Sequence, residues 1–373
     1  MAQIYLSPDN HYEALTAFLK ERGCKKILLV HDSAAPHLKV YHYLMSLPEK
    51  EGIEVVAFSD YKPNPDYEAL VAGTEVFRKE GCDGIVALGG GSGMDVAKSV
   101  KLFANMTPGE LYLKQKIVAN EIPFVAIPTT AGTGAESTMY AVIYYLGEKQ
   151  SIGDISVLPQ AILLDPSVLE TLPMYQRKCT MLDALGHAME SFWAVKSTEE
   201  SREHARNAIR GVFAHMEGYL ANVPEDNAGM LLAANEAGRA IFVTQTTVGH
   251  AMCYKLTHLY GLSHGHSVAF CNRVLMKWMP SHLNRCIDPR GQEYLENTLH
   301  ELAGLFGCMT IEEAAQKFDA LVERMELPVP RLRTGDMDEL VHSVNPDRLK
   351  NFPIAVTLED VEAFYREILL PEE

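Results

Sequence analysis

The strongest constraint on the fold is a change of sequence pattern near residue 165. Before that point, short continuous apolar runs alternate with stretches of helical periodicity. The runs that predict buried strands are 26–30, 55–58, 84–88, 124–127 and 161–164. Strands that are apolar along their whole length and alternate with helices are typical of a parallel sheet covered on both faces. We therefore expect an α/β domain over residues 1–165.

After Asp165-Pro166 the strand signals largely disappear. Helical periodicity takes over in 177–194, 199–220, 229–255 and 311–325, while 328–332 and 345–353 have the composition of loops. The chain has 373 residues, whereas single hydrophobic cores rarely grow past roughly 250–300 residues. These observations predict a second, all-helical domain over residues 166–373.

Composition excludes several classes of partner. A net charge of −16 argues against nucleic acid or an anionic membrane surface. No apolar stretch approaches the length of a membrane span, and no basic segment followed by an apolar run marks a signal peptide. The seven cysteines are scattered and contain no CxxC pair, which favours reduced thiols in a cytoplasmic protein.

A glycine-rich turn, Gly89-Gly90-Gly91-Ser92-Gly93, follows the predicted strand 84–88 directly and precedes a helix that opens at 95–98. Glycines let the backbone approach a pyrophosphate, and a helix N-terminus offers free N–H groups to it. Met94 fills the last position of the strict GxGxxG fingerprint, so the match is incomplete. A tight turn between strand and helix is the simpler interpretation. Because such a turn needs fewer glycines than are present here, the pattern favours phosphate binding.

Two other segments follow predicted strands. Thr129-Thr130-Ala131-Gly132-Thr133-Gly134 follows the strand 124–127 and suits cofactor contacts at the carboxyl end of a sheet, although a polar loop would look similar. Asp32 ends the first strand, where a carboxylate would bind ribose hydroxyls and repel a 2′-phosphate. From that segment alone, a helix cap or turn residue is the preferred interpretation of Asp32.

Four potential metal ligands lie in the second half of the chain. Asp183 and His187 are four residues apart, so a helix would place both on one face. His250 and His264 follow, and His266 would point elsewhere if its segment were extended. Each histidine alone, among 14, would more often be structural. One carboxylate oxygen with three imidazoles is, however, a set that suits Fe(II), Zn or similar ions.

These motifs are where the chain resembles the iron-containing (group III) alcohol dehydrogenase family, over essentially its full length. The residues that carry the resemblance are Gly89–Ser92 with Asp95 and Lys98, Pro128–Glu136, Asp183-Ala184, His187-Ala188, Glu190, His250–Met252 and His264-Gly265. The separations of 4, 63 and 14 along Asp183, His187, His250 and His264 match the metal-ligand pattern of the family. The resemblance implies a Rossmann-like NAD-binding domain, a helical metal-binding domain in a dehydroquinate synthase-like fold, an active site in the cleft between them, and a homodimer.

The resemblance also assigns roles to particular residues. It implies that Asp183, His187, His250 and His264 bind a divalent metal, with Fe(II) expected and Zn or Mn as alternatives. The cofactor NAD(H) would contact Asp32, Gly90, Gly91, Ser92, Asp95, Thr129, Thr130, Thr133, Thr138 and Lys149. The resemblance thus changes the preferred interpretation of Asp32 from a turn residue to a residue that selects NAD over NADP.

One departure from the family concerns proton transfer. Many members carry a further histidine four residues after the third ligand, and Tyr254 occupies that position here. Tyr254, His258, His266 or water are therefore the alternatives for the catalytic proton relay.

Within the family, segments 254–257, 261–266 and 344–351 look like the phosphonoacetaldehyde and sulfoacetaldehyde reductases. Those enzymes reduce a two-carbon aldehyde with an anionic head, so this resemblance implies the same small-molecule class here. Lys255 and Arg273 are the predicted anion-binding residues, with Arg348 and Lys350 more remote in sequence. Solvated surface charges are the alternative interpretation of each.

Three other functions stay open at this stage. The chain would also fit a dehydrogenase of another small alcohol, such as butanol, a 1,2-diol or a polyol. A dehydroquinate synthase-like lyase shares the architecture, but its metal site typically uses a glutamate with two histidines. A binding or structural protein with an inactive site is disfavoured by the complete set of ligands.

Overall fold

The computed structural model describes residues 3–9 and 11–371. Its strands are β1 (Ile4–Leu6), β2 (Lys26–His31), β3 (Glu54–Phe58), β4 (Gly84–Gly89), β5 (Phe124–Pro128), β6 (Tyr140–Tyr145), β7 (Glu148–Gly153) and β8 (Ala161–Leu163). Its α-helices are α1 (Glu13–Glu21), α2 (Lys39–Met45), α3 (Leu47–Glu51), α4 (Tyr67–Glu80), α5 (Gly91–Phe103), α6 (Met174–Trp193), α7 (Glu199–Leu220), α8 (Pro224–Thr244), α9 (Val248–Tyr260), α10 (His264–Trp278), α11 (Gln292–Leu305), α12 (Ile311–Arg324), α13 (Asp336–His342), α14 (Pro346–Lys350) and α15 (Leu358–Ile368).

The chain divides into two compact units. Unit 1 comprises Met1–Thr130, Gly134–Leu172 and Asn222–Leu231. Unit 2 comprises Ala131–Thr133, Pro173–Ala221 and Leu232–Glu373. The sequence predicted one boundary near residue 165. In the structure, segment 131–133 belongs to unit 2 and segment 222–231 belongs to unit 1, which a single boundary does not describe.

The main element of unit 1 is a six-stranded sheet with the order β1-β8-β5-β4-β2-β3. All its neighbouring strands pair in parallel, which confirms the predicted fold class. Every residue of β4 and β5 is buried, as expected when both faces of a sheet are covered. β3 lies outside β2, whereas β4 lies on its other side, so the direction of the crossovers reverses between β2 and β4. In open α/β sheets, ligands bind at the carboxyl ends of strands at such a reversal.

An antiparallel hairpin of β6 and β7 accompanies the sheet and was not predicted. The hairpin turns at Leu146-Gly147, where both residues have positive φ angles, of 53° and 79°. That geometry suits a two-residue hairpin turn. Four of the six residues of β7 are exposed, so the strand lacks the apolar run by which the buried strands were found.

Unit 2 is built from helices, as predicted. Within residues 166–371, the described structure contains no strand apart from isolated bridges. The central helix α6 is 20 residues long, is buried from Cys179 to Trp193, and packs against α7 and α10. None of the described helices combines the length and the apolar character needed to cross a membrane. The seven cysteines are free thiols, with five of them buried.

Two of the predicted elements in this half were wrong. The continuous helix expected over 229–255 is interrupted, because α8 ends at Thr244 and α9 begins at Val248. Gln245 adopts a left-handed φ of 60° there, and the backbone N–H of Thr247 leaves the helical ladder to donate to the Glu190 carboxylate at 2.6 Å. The loop expected over 345–353 contains the short helix α14, which Asn345 caps by accepting from the Asp347 N–H.

Candidate functional site

The structure brings the four predicted metal ligands together in unit 2. Asp183 and His187 lie one turn apart on α6, His250 lies in the first turn of α9, and His264 is the first residue of α10. One donor atom from each residue lies within 4.8 Å of the other three. The Asp183 Oδ1 atom is 3.7 Å from Nε2 of His250 and 3.5 Å from Nε2 of His264.

The donor atoms fit a divalent cation. Oδ1 of Asp183, Nδ1 of His187 and Nε2 of His250 are buried and have no hydrogen-bond partner in the described structure. A buried polar atom without a partner destabilises a fold by about 1–3 kcal/mol, so Oδ1 of Asp183 and Nε2 of His250, which lie 3.7 Å apart, indicate a missing ligand. With bonds of about 2.1 Å, donors around one ion lie at most roughly 4.2 Å apart. The four donor atoms, which lie within 4.8 Å of one another, would therefore have to move together only slightly to bind one ion.

The protonation states of Asp183 and His187 also favour a cation. Burial by itself would raise the pKa of Asp183, but the charges of His187, His264 and His250 lower it below its usual value. Burial lowers the pKa of His187 to about 4, although Asp183 opposes this. An ionised carboxylate and a neutral imidazole are the forms that bind metal ions.

Glu190 supports the site from the next turns of α6 and is fully buried. Its Oε1 lies 2.6 Å from Nδ1 of His250 and accepts from Asn272 at 3.0 Å. Its Oε2 accepts from the backbone N–H and the hydroxyl of Thr247, at 2.6 and 2.7 Å. A carboxylate on one ring nitrogen fixes a histidine so that the other nitrogen faces the metal. This role of Glu190 was not predicted, although Glu190 follows Asp183 and His187 on the same face of α6.

The environment of His250 changes its affinity for protons. Burial would lower its pKa, but the negative charges of Glu190 and Asp183 raise it to about 9. Below that pH the free ring carries a second proton, on the nitrogen that faces Asp183. A cation must displace this proton in order to bind.

Glycines beside two of the ligands allow α9 and α10 to approach α6 closely. A Cβ atom on Gly265 would lie 2.0 Å from the carbonyl oxygen of Cys179 and 2.7 Å from Cβ of Asp183. A Cβ atom on Gly249 would lie 2.4 Å from Oε1 of Glu190. Any larger residue at these positions would push the neighbouring histidines away from the site.

The three predicted relay residues have different surroundings. The Tyr254 ring stacks on His264, with centroids 5.8 Å apart and planes inclined by 15°. Burial raises the pKa of Tyr254 above its usual value, so its hydroxyl is protonated at neutral pH. His266 is buried and its Nδ1 lies 3.0 Å from the Tyr175 hydroxyl, while His258 is exposed. Tyr254 is therefore the member of the three that contacts a predicted metal ligand, and its catalytic role stays a prediction.

The predicted cofactor residues of unit 1 gather at the carboxyl edge of the sheet. The strand register aligns His31 with Leu88 and Gly89 with Pro128, so the residues that follow these strands lie side by side. Gly90 is the N-cap of α5, and a Cβ atom on it would lie 3.3 Å from the Thr130 side chain. The backbone N–H groups at this helix start suit an anionic group.

Asp32 was considered from the sequence as a turn residue and as a cofactor-binding carboxylate, and its contacts are compatible with both. Its Oδ1 accepts from the N–H groups of Ala34 and Ala35, each at 3.0 Å, as a turn residue would. Its Oδ2 accepts from the Thr129 hydroxyl at 3.1 Å, which places the carboxylate beside another predicted cofactor residue.

Lys98 organises the segment that follows β5 and was not predicted to do so. It is fully buried on α5, and its ammonium donates to the carbonyls of Ala135 and Tyr140 at 2.6 and 2.8 Å and to the Thr138 hydroxyl at 3.0 Å. Burial lowers the pKa of Lys98, against the opposing charges of Asp95 and Glu136. The family motif that includes Lys98 was the available signal in the sequence.

The other predicted cofactor residues are more dispersed. Asp95 and Ser92 lie on α5, and the Ser92 hydroxyl accepts from the Asn64 N–H at 3.1 Å. Lys149 lies on β7, and Thr133 belongs to the segment 131–133 that is assigned to unit 2. The cofactor roles of these residues stay predictions.

The two predicted anion-binding residues are paired with carboxylates. Lys255 lies 2.9 Å from Glu339. Arg273 pairs with Asp319 and lies 2.9 Å from Glu323. Their charges are thus already partly neutralised, and a role in anion binding stays a prediction.

The comparison with known protein families gives two matches, one over each half of the chain. Residues 2–166 match the family described as iron-containing alcohol dehydrogenase. Residues 178–369 match the C-terminal domain of the Fe-containing alcohol dehydrogenase family. The chain belongs to the iron-containing alcohol dehydrogenase family and is an oxidoreductase of that family, as its motifs predicted.

Individual relatives differ in their substrates. The chain is 30% identical to a choline dehydrogenase of Bacillus subtilis, over 88% of this chain and 83% of the relative. It is 32% identical to a phosphonoacetaldehyde reductase of Streptomyces viridochromogenes, over 68% of this chain and 67% of the relative. A sulfoacetaldehyde reductase from Bifidobacterium kashiwanohense, solved in complex with NAD+, superposes with a TM-score of 0.86 at 23% identity, covering 98% and 96% of the two chains. That last likeness shows the fold alone.

Proposed function

We propose that the protein is a metal- and NAD(H)-dependent aldehyde reductase whose substrate is a two-carbon aldehyde with a phosphonate or sulfonate head. The reaction would convert the aldehyde, NADH and a proton into a primary alcohol and NAD+. The observation that carries the proposal is the convergence of Asp183, His187, His250 and His264, whose donor atoms lie within 4.8 Å of one another.

The residues of unit 2 would hold the metal and keep its coordination open. Asp183 and the three histidines supply four ligands, which leaves room for a substrate oxygen. Glu190 holds the His250 ring in the orientation in which Nε2 faces the site. When bound, a divalent cation supplies Lewis-acid stabilisation of negative charge on oxygen, and NADH supplies the hydride.

The residues of unit 1 would hold the cofactor. The backbone at Gly90, Gly91 and Ser92, at the start of α5, suits the pyrophosphate. The Asp32 carboxylate would accept hydrogen bonds from the adenosine ribose and repel a 2′-phosphate, which favours NAD over NADP. Asp95, Thr129, Thr130, Thr133, Thr138 and Lys149 are the further contacts that we propose.

The anionic head is the part of the proposal that depends on the relatives. One relative, 32% identical over 68% of this chain, is a phosphonoacetaldehyde reductase. Because the chain carries a net charge of −16, such a substrate requires a local cationic group.

A steady-state screen of NADH oxidation tests the proposal, with enzyme reconstituted separately with Fe(II) and Zn. The substrates are phosphonoacetaldehyde, sulfoacetaldehyde, glycolaldehyde and propanal, and the reverse reaction is tested with choline, butanol and 1,2-propanediol. We expect the highest kcat/KM for one of the two anionic aldehydes. Equal or higher values for the neutral aldehydes would reject the anionic head, and no NADH oxidation with any aldehyde would reject the reductase.

A further inference from the structure

The short helix α14 is fixed against the linker between α8 and α9. Asn351, at its C-terminal end, is buried, and its side-chain amide donates to the carbonyls of Thr244 and Thr246 at 2.9 and 3.1 Å. The carbonyl of Asn351 accepts from the Val195 N–H at 2.9 Å. The same linker carries Thr247, which binds Glu190 beneath the metal ligands. The position of α14 is therefore set relative to the metal site.

Arg348 on α14 makes no ion pair with a carboxylate in the described structure, and the nearby Lys196 donates its ammonium to the neutral amide of Gln245 at 3.0 Å. In the part of the chain that the structure describes, no carboxylate lies at ion-pair distance from Arg348, and its side chain makes one hydrogen bond, 3.4 Å from Nη1 to the carbonyl of Thr246. A guanidinium has five N–H donors, so most of them stay available. By contrast, Lys255, Arg273 and Lys350 each pair with at least one carboxylate.

Thr246 also links Arg348 to the metal ligands. Thr246 directly precedes Thr247, whose backbone N–H and hydroxyl donate to Glu190 at 2.6 and 2.7 Å. Glu190 in turn lies 2.6 Å from Nδ1 of the predicted ligand His250. Arg348 therefore contacts the linker segment that supports the metal ligands.

We infer that Arg348 binds the anionic head of the substrate and sets the preference for aldehydes that carry a tetrahedral oxyanion. This inference rests on the proposed function and deepens it by naming the residue that recognises the head. A guanidinium can donate two parallel hydrogen bonds to a phosphonate or a sulfonate, which an ammonium cannot match in geometry. A cationic alcohol would be repelled by the same group.

The test uses the metal-reconstituted enzyme and the variants Arg348→Gln and Arg348→Lys. The control is Arg366→Gln, which makes the same chemical change at an exposed arginine of α15 that pairs with Glu362. For each enzyme, kcat and KM are measured with phosphonoacetaldehyde, sulfoacetaldehyde and propanal, and thermal unfolding is recorded.

For Arg348→Gln we expect KM to rise roughly 10- to 100-fold for the anionic aldehydes, as for the loss of charged hydrogen bonds, while KM for propanal stays within about twofold. The Arg348→Lys variant should recover part of the loss, and Arg366→Gln should show none. The larger rise identifies whether the phosphonate or the sulfonate is the better-fitting head.

Two outcomes would overturn the inference. Equal losses for propanal and for the anionic aldehydes would mean that Arg348 only supports the linker. An unchanged KM for both anionic aldehydes would mean that another cation binds the head. Failure of the proposed function is distinguishable from both, because the unaltered enzyme would then show no preference for anionic aldehydes.

Discussion

Replacing Glu190 with glutamine tests whether this carboxylate orients His250 for the metal. The buried carboxylate contacts four hydrogen-bonding groups: His250 and Asn272 at Oε1, and the N–H and hydroxyl of Thr247 at Oε2. A glutamine has nearly the same shape but can accept hydrogen bonds at only one of its two terminal atoms. One pair of these groups must therefore face an NH2 group.

Both orientations of the glutamine weaken cation binding. If its NH2 group faces His250, the ring must accept at Nδ1 and carry its proton on Nε2, where the cation should bind. If the NH2 group faces Thr247, two buried donors lose their acceptor, at about 1–3 kcal/mol each. Removal of such a partner of a metal ligand typically lowers metal affinity about 10- to 100-fold, which is roughly 1.4–2.7 kcal/mol.

The assay is a titration of metal-free protein with Co(II) against a chromophoric chelator. Glu236→Gln is the matched control, because Oε2 of Glu236 lies 2.7 Å from Nδ1 of His204, which is not one of the four ligands. We expect Glu190→Gln to raise the Kd for the ion by the stated factor and Glu236→Gln to leave it unchanged. A folded Glu190→Gln protein whose Kd stays within twofold of the unaltered value would refute the reasoning.

Three further predictions follow from the described contacts. Because the pKa of His250 is raised from 6.5 to about 9, its protonation stabilises the metal-free protein below pH 6.5, and this stabilisation is lost as the pH rises through 9. Metal affinity should rise over the same range, with close to one proton released per ion in calorimetry at pH 7.5; binding without proton release would contradict this. Gly265→Ala should abolish metal binding, since its Cβ would lie 2.0 Å from the carbonyl oxygen of Cys179, whereas Gly304→Ala on α11, with no atom within 4 Å, should be tolerated in thermal unfolding. Asp32→Gly should raise the ratio of kcat/KM for NADPH to that for NADH at least about tenfold, as expected for the loss of a charge that repels a 2′-phosphate; an unchanged ratio would remove Asp32 from the cofactor site.

The sequence predicted the strands that are buried along their whole length, because burial gives them a continuous run of apolar residues. β4 and β5 are buried along their whole length, so their apolar runs identify them as strands. β7 is mostly exposed and has no such run, and the apolar run of β1 is only three residues long. The break between α8 and α9 is also hidden, because neither glycine nor proline marks it and its cause is a contact of Thr247 with Glu190, 57 residues away.

In the candidate site, too, the residues recognisable from local sequence were predicted, whereas properties that depend on distant contacts were not. The spacing of Asp183 and His187 on one helix, with the family motifs, was enough to predict the ligand set that the structure assembles. Proximity in sequence selected Lys255 and Arg273 as anion-binding residues, but their carboxylate partners lie 84 and 46 residues away and could not be foreseen. Arg348 differs from them through the absence of such a partner in the described structure, which only the fold reveals.

The central claim is that Asp183, His187, His250 and His264 hold the metal on which aldehyde reduction depends. The most direct measurement is the metal content of the reconstituted protein and of His264→Ala, with NADH oxidation and NADH binding recorded on the same samples. We predict about one ion per chain and active reduction in the unaltered protein, and neither in the variant, which should still bind NADH. A His264→Ala protein that retains both its metal and its activity would contradict the account.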